Sequence, residues 1–289
     1  MERKIISVLA IVALLPIYAN EKRSGDDVHK IVSDKVISEQ RMKLAGNTKS
    51  KGYGPQSPRD IEAVAGDNLL TFNTAPLSTQ MNLCNIHFHK NAEHKGGEFT
   101  QYAGNGDGDG FQSGYKYSGK LNVAELKSVA HDICPSKHGA LSVGDTIEVH
   151  YVHSTAQVKP GPTLGSCLSD AIKNPQLRVE TQVYVLVNNK DALDFGNLSK
   201  YEIKNDLYQA INIPNNTGTP IQYAGSTTGP DYNEKGSPFQ VTWRVRPKVA
   251  KVNIESVGQW CKGNVFNEDH AHGVRNLVTN PKLLSKISQ

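Results

Sequence analysis

The chain lacks the features that would place it in several common protein classes. Beyond its first twenty residues it has no apolar run approaching the roughly 18 residues that a membrane-spanning helix needs, which predicts a soluble mature protein. It lacks a strong charge imbalance, since 32 Lys and Arg against 28 Asp and Glu give a formal net charge of +4. So mild a charge gives no reason to expect nucleic acid or a membrane surface as a partner.

The amino terminus has the pattern of an export signal. A short charged segment, residues 1–4, precedes an almost unbroken apolar stretch over residues 5–15, and Ala19 offers a small residue at a cleavage site. This pattern predicts a secretory signal peptide over residues 1–19, and therefore a periplasmic or secreted protein.

Cysteine is scarce, and its spacing excludes one kind of metal site. The chain has four cysteines and no Cys-x-x-Cys pair, which argues against zinc held by thiolates. An even number of cysteines in an exported protein predicts two disulfide bonds, for which three pairings are possible. Of these we expect Cys84–Cys134 and Cys167–Cys261.

Three histidines and a glutamate lie within eight residues, from His87 to His94. Ile86 and Phe88 alternate with His87 and His89, and this period of two predicts a strand. Residues two apart on a strand point to the same face about 7 Å apart, so two imidazoles can bind one metal ion. On a helix the same two side chains would diverge. The pattern therefore predicts a metal site carried by a strand.

A second histidine-bearing strand is predicted over residues 146–153. Glu148 and His150 share one face of it, and a carboxylate beside a metal-bound histidine typically accepts the second ring N–H. We therefore expect His150 to be the third metal ligand. His94 remains a spare candidate that could reach the metal only through a turn.

The residues 85–89, Asn-Ile-His-Phe-His, followed by Ala-Glu-His at 92–94, resemble the signature of the delta-class carbonic anhydrases. Residues 147–153 are similar to the alpha-class strand that carries the third zinc histidine. Residues 222–230, with a Thr-Thr pair ahead of the Val-Thr-Trp strand at 241–243, are also similar to an alpha-class segment.

The resemblance and the alternation of short strands with turns predict a mainly β fold of the α+β class. Its core would be a large, mostly antiparallel sheet resembling the alpha-class architecture. We expect a polar N-terminal arm over residues 20–67 and a single catalytic domain over residues 68–289.

The resemblance also implies an activity, the reversible hydration of carbon dioxide to bicarbonate by a hydroxide bound to Zn²⁺. The site residues that it implies fall into three roles. His87, His89 and His150 would hold the zinc, Glu93 with Thr227 or Thr228 would orient the hydroxide, and Glu148 would support a histidine ligand.

Two alternatives remain open from the sequence. The spacing His87-x-His89-x₃-Glu93 also fits the first metal motif of cupin enzymes, although Met81 stands where that motif expects glycine. A non-catalytic periplasmic zinc-binding protein would need four protein ligands, with His94 as the fourth.

Two further segments partly match metal-binding motifs, but the sequence does not support a metal site in either. The Gly-Asp-rich residues 104–110 match the start of an EF-hand loop, but Lys116 stands where the bidentate glutamate is required. A second His-x-His, at His270 and His272, lies in a polar stretch without strand alternation. We expect both segments to be surface loops without a metal.

Overall fold

The computed structural model describes residues 31–227, 229 and 232–288. The expected signal peptide, residues 1–19, and Thr228 lie outside the described residues. Among the helices of the described part, none is long and apolar enough to cross a membrane.

The described chain contains three α-helices, three short 3₁₀ helices and eleven strands. The α-helices are α1 (Asp34–Thr48), α2 (Phe195–Leu198) and α3 (Ile254–Cys261), and the 3₁₀ helices are Ser78–Gln80, Leu164–Cys167 and Pro281–Leu283. The strands are β1 (Asn82–Lys90), β2 (Gln101–Tyr102), β3 (Tyr115–Lys116), β4 (Ile133–Ser136), β5 (Gly139–Leu141), β6 (Thr146–Ser154), β7 (Leu177–Val187), β8 (Tyr201–Lys204), β9 (Leu207–Ala210), β10 (Ile221–Gly225) and β11 (Val241–Asn253).

Five strands form one large sheet in the order β1-β6-β7-β11-β10. Neighbouring strands are antiparallel except β7 and β11, which run parallel. The remaining strands pair as three small ribbons, β2–β3, β4–β5 and β8–β9. The expectation of a mainly β fold with a large, mostly antiparallel sheet is confirmed.

The two faces of this sheet carry different chemistry because side chains alternate along each strand. On β1, Ile86 and Phe88 enter an apolar core that α3 covers with Val257 and Trp260. The opposite face carries His87, His89 and His150 above a second, smaller apolar cluster. That second cluster includes Val152, Val179, Val183, Trp243 and Val245.

The expected cysteine pairing is wrong. The structure joins Cys84 to Cys167 and Cys134 to Cys261. Cys84 packs in the apolar cluster of the histidine face, whereas Cys134 packs in the cluster of the opposite face. The sheet separates the two sulfurs, so each cysteine pairs with a partner on its own side. Two disulfides in one chain fit an exported protein.

Helix α1 fastens a loop that the sequence predicted to be a flexible surface element. Gln40 on α1 donates a hydrogen bond from Nε2 to the Gly108 carbonyl at 2.6 Å. Val32, just before α1, donates from its backbone N–H to the Gly106 carbonyl at 2.9 Å. Both glycines are buried whereas Asp109 is exposed, so the Gly-Asp-rich segment is a surface loop that is packed against the region of α1. The boundary between arm and domain at residue 67 stays a prediction.

Candidate metal centre

The register between β1 and β6 brings three histidines together. His87 lies directly opposite His150, and His89 lies opposite Glu148. The ring centroids are 5.0 Å apart for His87 and His150, 5.2 Å for His87 and His89, and 4.8 Å for His89 and His150. One ring nitrogen from each histidine lies within 4.8 Å of the other two.

Hydrogen bonds on the outer side of the rings decide which nitrogens carry protons on β1. His87 donates from Nδ1 to Oδ1 of Asn85 at 2.6 Å, and Asn85 is itself oriented by donating from Nδ2 to the Gly161 carbonyl at 3.0 Å. His89 donates from Nδ1 to the Gly273 carbonyl at 2.7 Å. In the neutral imidazole the other nitrogen is then unprotonated, so both Nε2 atoms present lone pairs.

The third ring is held in the opposite orientation. His150 donates from Nε2 to Oε1 of Glu148 at 2.6 Å, which leaves its Nδ1 atom unprotonated. Burial alone would raise the pKa of Glu148, but His94 and His150 beside it hold that pKa well below its usual range. The carboxylate is therefore ionised and accepts the N–H of His150. A carboxylate or carbonyl behind a metal-binding histidine acts in this way.

Three lone pairs therefore converge with no proton between them. Nδ1 of His150 lies 3.1 Å from Nε2 of His87, and Nε2 of His89 is buried without a hydrogen-bond partner. Burial lowers the pKa of His87 well below its usual range and that of His89 to about 4, which keeps both rings neutral at neutral pH. Neutral imidazoles around an unpartnered buried nitrogen fit a metal cation.

A turn after β1 brings the Glu93 carboxylate beside the three histidines. After β1 ends at Lys90, Asn91 adopts a left-handed conformation with φ of 66°, which asparagine tolerates better than most residues. Glu93 accepts a hydrogen bond at Oε1 from the backbone N–H of Arg275 at 2.9 Å. Its Oε2 atom lies 3.7 Å from Nε2 of His89. A carboxylate oxygen thus lies beside the converging nitrogens.

His94 lies behind Glu148 and away from this convergence. It donates from Nδ1 to Oε1 of Glu148 at 2.7 Å, and its backbone N–H donates to Oε2 at 3.1 Å. Its Nε2 atom lies 2.7 Å from the Tyr223 hydroxyl, which in turn contacts the hydroxyl of Ser57. His94 is fully buried and lies outside the group of His87, His89 and His150, although with Glu148 and His150 it forms a second group of closely spaced ligand atoms.

The histidines lie in the wall of a cavity of about 640 Å³. Thr227, the described member of the expected threonine pair, also lines this cavity, together with Ser226 and Trp243. A second concavity, of about 820 Å³, lies beside α2 and contains neither histidine nor cysteine. The smaller cavity is therefore the candidate site, because the metal-binding chemistry lies there.

The second His-x-His was expected to lie in a surface loop away from any metal, and the structure places it differently. His270 and His272 both line the cavity of the histidine cluster. The His272 ring lies 5.6 Å from the His87 ring and 5.8 Å from the His89 ring, centroid to centroid. A parallel bridge between His89 and His272 fixes this position. Sequence analysis missed it because the segment has no strand alternation of its own.

Sequence analysis also missed the groups that orient the histidines. Asn85 was recognisable, because it lies two residues before His87 and a strand brings both to one face. The Gly273 carbonyl and the Tyr223 hydroxyl gave no local signal. Both come from segments more than 120 residues away from the histidines that they contact.

No curated protein sequence matches the chain significantly. Three of the solved structures that it matches are carbonic anhydrases. That of Thermovibrio ammonificans, an alpha-carbonic anhydrase solved with sulfanilamide, is 18% identical, with 80% of this chain and 86% of that chain covered and a TM-score of 0.27. That of Photobacterium profundum, also alpha, is 14% identical, with 82% and 93% covered and a TM-score of 0.26. That of Dunaliella salina, described as halotolerant, is 13% identical, with 81% and 92% covered and a TM-score of 0.30.

At such low TM-scores these structural alignments do not decide the family. A match between the chain's sequence and a family model does decide it. The model of the delta carbonic anhydrase family matches residues 78–256, more than half of the chain. The matched segment includes β1 and β6, with all three converging histidines. The chain belongs to the delta carbonic anhydrase family.

Proposed function

We propose that this protein catalyses the reversible hydration of carbon dioxide to bicarbonate with Zn²⁺ held by His87, His89 and His150. The observation that carries the proposal is the convergence of three unprotonated ring nitrogens within 4.8 Å of one another. Family membership supports carbon dioxide hydration in general, and the donor set supports zinc.

Three protein ligands are the arrangement of a catalytic zinc site, because a tetrahedral ion then keeps one position for water. Bound zinc would supply a nucleophile at neutral pH by lowering the pKa of water from 15.7 to about 7. Three neutral imidazoles leave the ion's full charge available for this effect, whereas a carboxylate ligand would reduce it. The site opens into the cavity of about 640 Å³, through which substrate and product can pass.

Glu93 and a threonine would position the reacting oxygen. Glu93 is buried, and the backbone N–H of Arg275 fixes one of its carboxylate oxygens. A hydroxyl that donates its proton to such a carboxylate can act only as an acceptor towards its other neighbours. It can therefore orient an O–H group beside it. Thr227 lies in the cavity wall and is one candidate for that hydroxyl, while Thr228 is the other.

An apolar wall beside the histidines would hold carbon dioxide, which is small and nonpolar. Trp243 is nearly fully buried, and its ring lies 5.0 Å from the His150 ring. Leu164 and Val274 add further apolar lining to the same cavity. Such a surface binds an apolar gas and does not offer hydrogen bonds to water.

A closed four-ligand zinc site is less well supported. Its fourth ligand was expected to be His94, but both ring nitrogens of His94 are engaged by Glu148 and Tyr223. Membership in the carbonic anhydrase family argues against the cupin alternative.

The test is a stopped-flow assay of carbon dioxide hydration with purified protein of measured zinc content. We expect activity in proportion to bound zinc, loss of activity after removal of zinc by a chelator, and recovery when zinc is returned. Zinc-loaded, folded protein without hydration activity would contradict the proposal.

A further inference from the structure

The proposed reaction makes no use of His270 and His272, although both line the cavity. His272 is fixed by its backbone. Its N–H donates to the Phe88 carbonyl at 2.9 Å, and its carbonyl accepts from the N–H of Lys90 at 3.1 Å. The second His-x-His of the sequence is thereby attached alongside the first.

The histidines form a continuous series from the surface to the buried site. The His270 ring lies 5.9 Å from the His272 ring in a nearly parallel arrangement, and His272 lies 5.6 Å from His87. Exposure falls along this series, with side-chain accessibilities of 40% for His270, 29% for His272 and 3% for His150. An ion that moved from one imidazole to the next would take steps of about the same length throughout.

Carboxylates accompany the outer histidines. Oε2 of Glu268 lies 2.6 Å from Nε2 of His272, and Asp269 contacts His270. Among the charged residues that line the cavity, three are carboxylates and two, Lys137 and Arg275, are basic. This small excess of carboxylates over basic groups favours the approach of divalent cations and raises their local concentration.

These outer side chains do not make a closed metal site. In the described part of the chain, the groups of three donors close enough to hold an ion are His87 with His89 and His150, and His94 with Glu148 and His150. His270, His272 and Glu268 belong to neither group. They can therefore offer an incomplete set of ligands, which suits brief capture better than storage.

We propose that His270, His272 and Glu268 form a metal-entry site, which captures Zn²⁺ at the mouth of the cavity and passes it to His87, His89 and His150. This inference rests on the zinc site of the proposed function. Its ligand chemistry is that of a borderline-soft divalent cation, which imidazole and carboxylate bind well.

An entry site has a kinetic signature that a ligand of the final site lacks. In this proposal His270 and His272 do not contact the ion in its final position. Their loss therefore changes the route by which zinc binds, and leaves the metal-free and zinc-bound states unchanged. The association and dissociation rate constants must then fall by the same factor, and the dissociation constant must stay constant. Loss of a final ligand would instead weaken binding at equilibrium.

The experiment measures zinc binding to the metal-free full chain by stopped flow, with a chelating dye as the readout. The variants are His270→Gln, His272→Gln and the double variant, in which glutamine keeps a polar side chain without the imidazole. The control is His131→Gln, because His131 is exposed, lies 3.2 Å from Glu255 and is not part of the cavity lining.

We expect the double variant to bind zinc about tenfold more slowly, at the lower end of electrostatic effects on association rates. We expect its dissociation to slow by the same factor, with one zinc bound per chain, while the His131→Gln control matches the parent protein. Circular dichroism confirms that each variant is folded.

An unchanged association rate in a folded double variant would overturn the inference. So would faster dissociation with unchanged association, which would make these residues ligands of the final site. An unchanged association rate together with slower turnover that imidazole buffer restores would assign them to proton transfer instead. Slowed zinc entry in a protein without hydration activity would support the entry site and overturn the proposed function, whereas a chain that binds no zinc would overturn both.

Discussion

The Nε2 atom of His150 lies 2.6 Å from Oε1 of Glu148, and this contact turns the Nδ1 atom of His150 towards His87. The same carboxylate oxygen accepts a hydrogen bond from His94 at 2.7 Å. Glu148 therefore orients His150 and is itself held by His94, which lies outside the group of His87, His89 and His150.

Replacing Glu148 with glutamine should weaken zinc binding by about 10–100-fold, the usual effect of removing a group that orients a metal ligand. Glutamine can still accept a hydrogen bond, but it lacks the charge that favours the N–H of His150. The measurement is competition for zinc with a chelator of known affinity. Glu180→Gln is the matched control, because Glu180 is a buried carboxylate that pairs with Arg244 at 3.0 Å. Equal zinc affinity in the parent and Glu148→Gln proteins would contradict this role.

His150→Ala should abolish stoichiometric zinc binding, whereas His94→Ala should retain the metal and at most slow turnover. His150 would contribute one of only three ligands, while His94 donates its hydrogen bond to Glu148, behind His150. Elemental analysis of zinc in both folded variants distinguishes them. Zinc retained in His150→Ala and absent from His94→Ala would reverse the assignment.

Alanine at Thr227 or Thr228 should keep zinc bound and lower carbon dioxide hydration roughly 10²-fold, about 2.7 kcal/mol, for whichever residue orients the reacting oxygen. The measurement is the hydration rate of zinc-loaded variants. Thr71→Ala, at an exposed position away from the cavity, serves as the control. Full activity in both variants would remove the threonines from the mechanism.

The two disulfides should differ in their effect on the site. Removing either by paired Cys→Ser changes should cost about 2–5 kcal/mol of unfolding free energy. Only the loss of Cys84–Cys167 should also weaken zinc binding, because Cys84 lies in β1, three residues before His87. Denaturant unfolding and chelator competition on both double variants test this. Equal zinc affinities would show that the bond does not support the site.

Stability should fall in mild acid because His153 is buried as a neutral ring. Burial lowers the pKa of His153 to about 4, while its value in the unfolded chain is near 6.5. Between these values the unfolded state binds the additional proton, so unfolding free energy decreases as the pH falls from about 6.5 to 4. The loss from this group is about 3 kcal/mol. Denaturant unfolding across this range should show a smaller decrease in His153→Leu than in the parent protein, and equal slopes would contradict the assignment.

The chain's local patterns were enough to predict the two strands that carry the metal-site histidines, β1 and β6, and much of the cluster of histidines. The alternation of Ile86 and Phe88 with His87 and His89 predicted a strand with one apolar and one histidine-bearing face, and β1 is such a strand. The same reasoning placed Glu148 and His150 on one face of β6. These features were predictable because a period of two is a property of neighbouring residues, whatever the rest of the chain does.

Only the tertiary structure decided which separate segments meet. The sequence allowed three cysteine pairings, and the position of each cysteine on one side of the sheet selected the observed one. The polar segment around His272 carried no local signal of its position, which depends on backbone hydrogen bonds to residues more than 180 positions earlier. The orientation of each histidine likewise depends on partners such as the Gly273 carbonyl, because a proton's location on a ring is set by whatever accepts it.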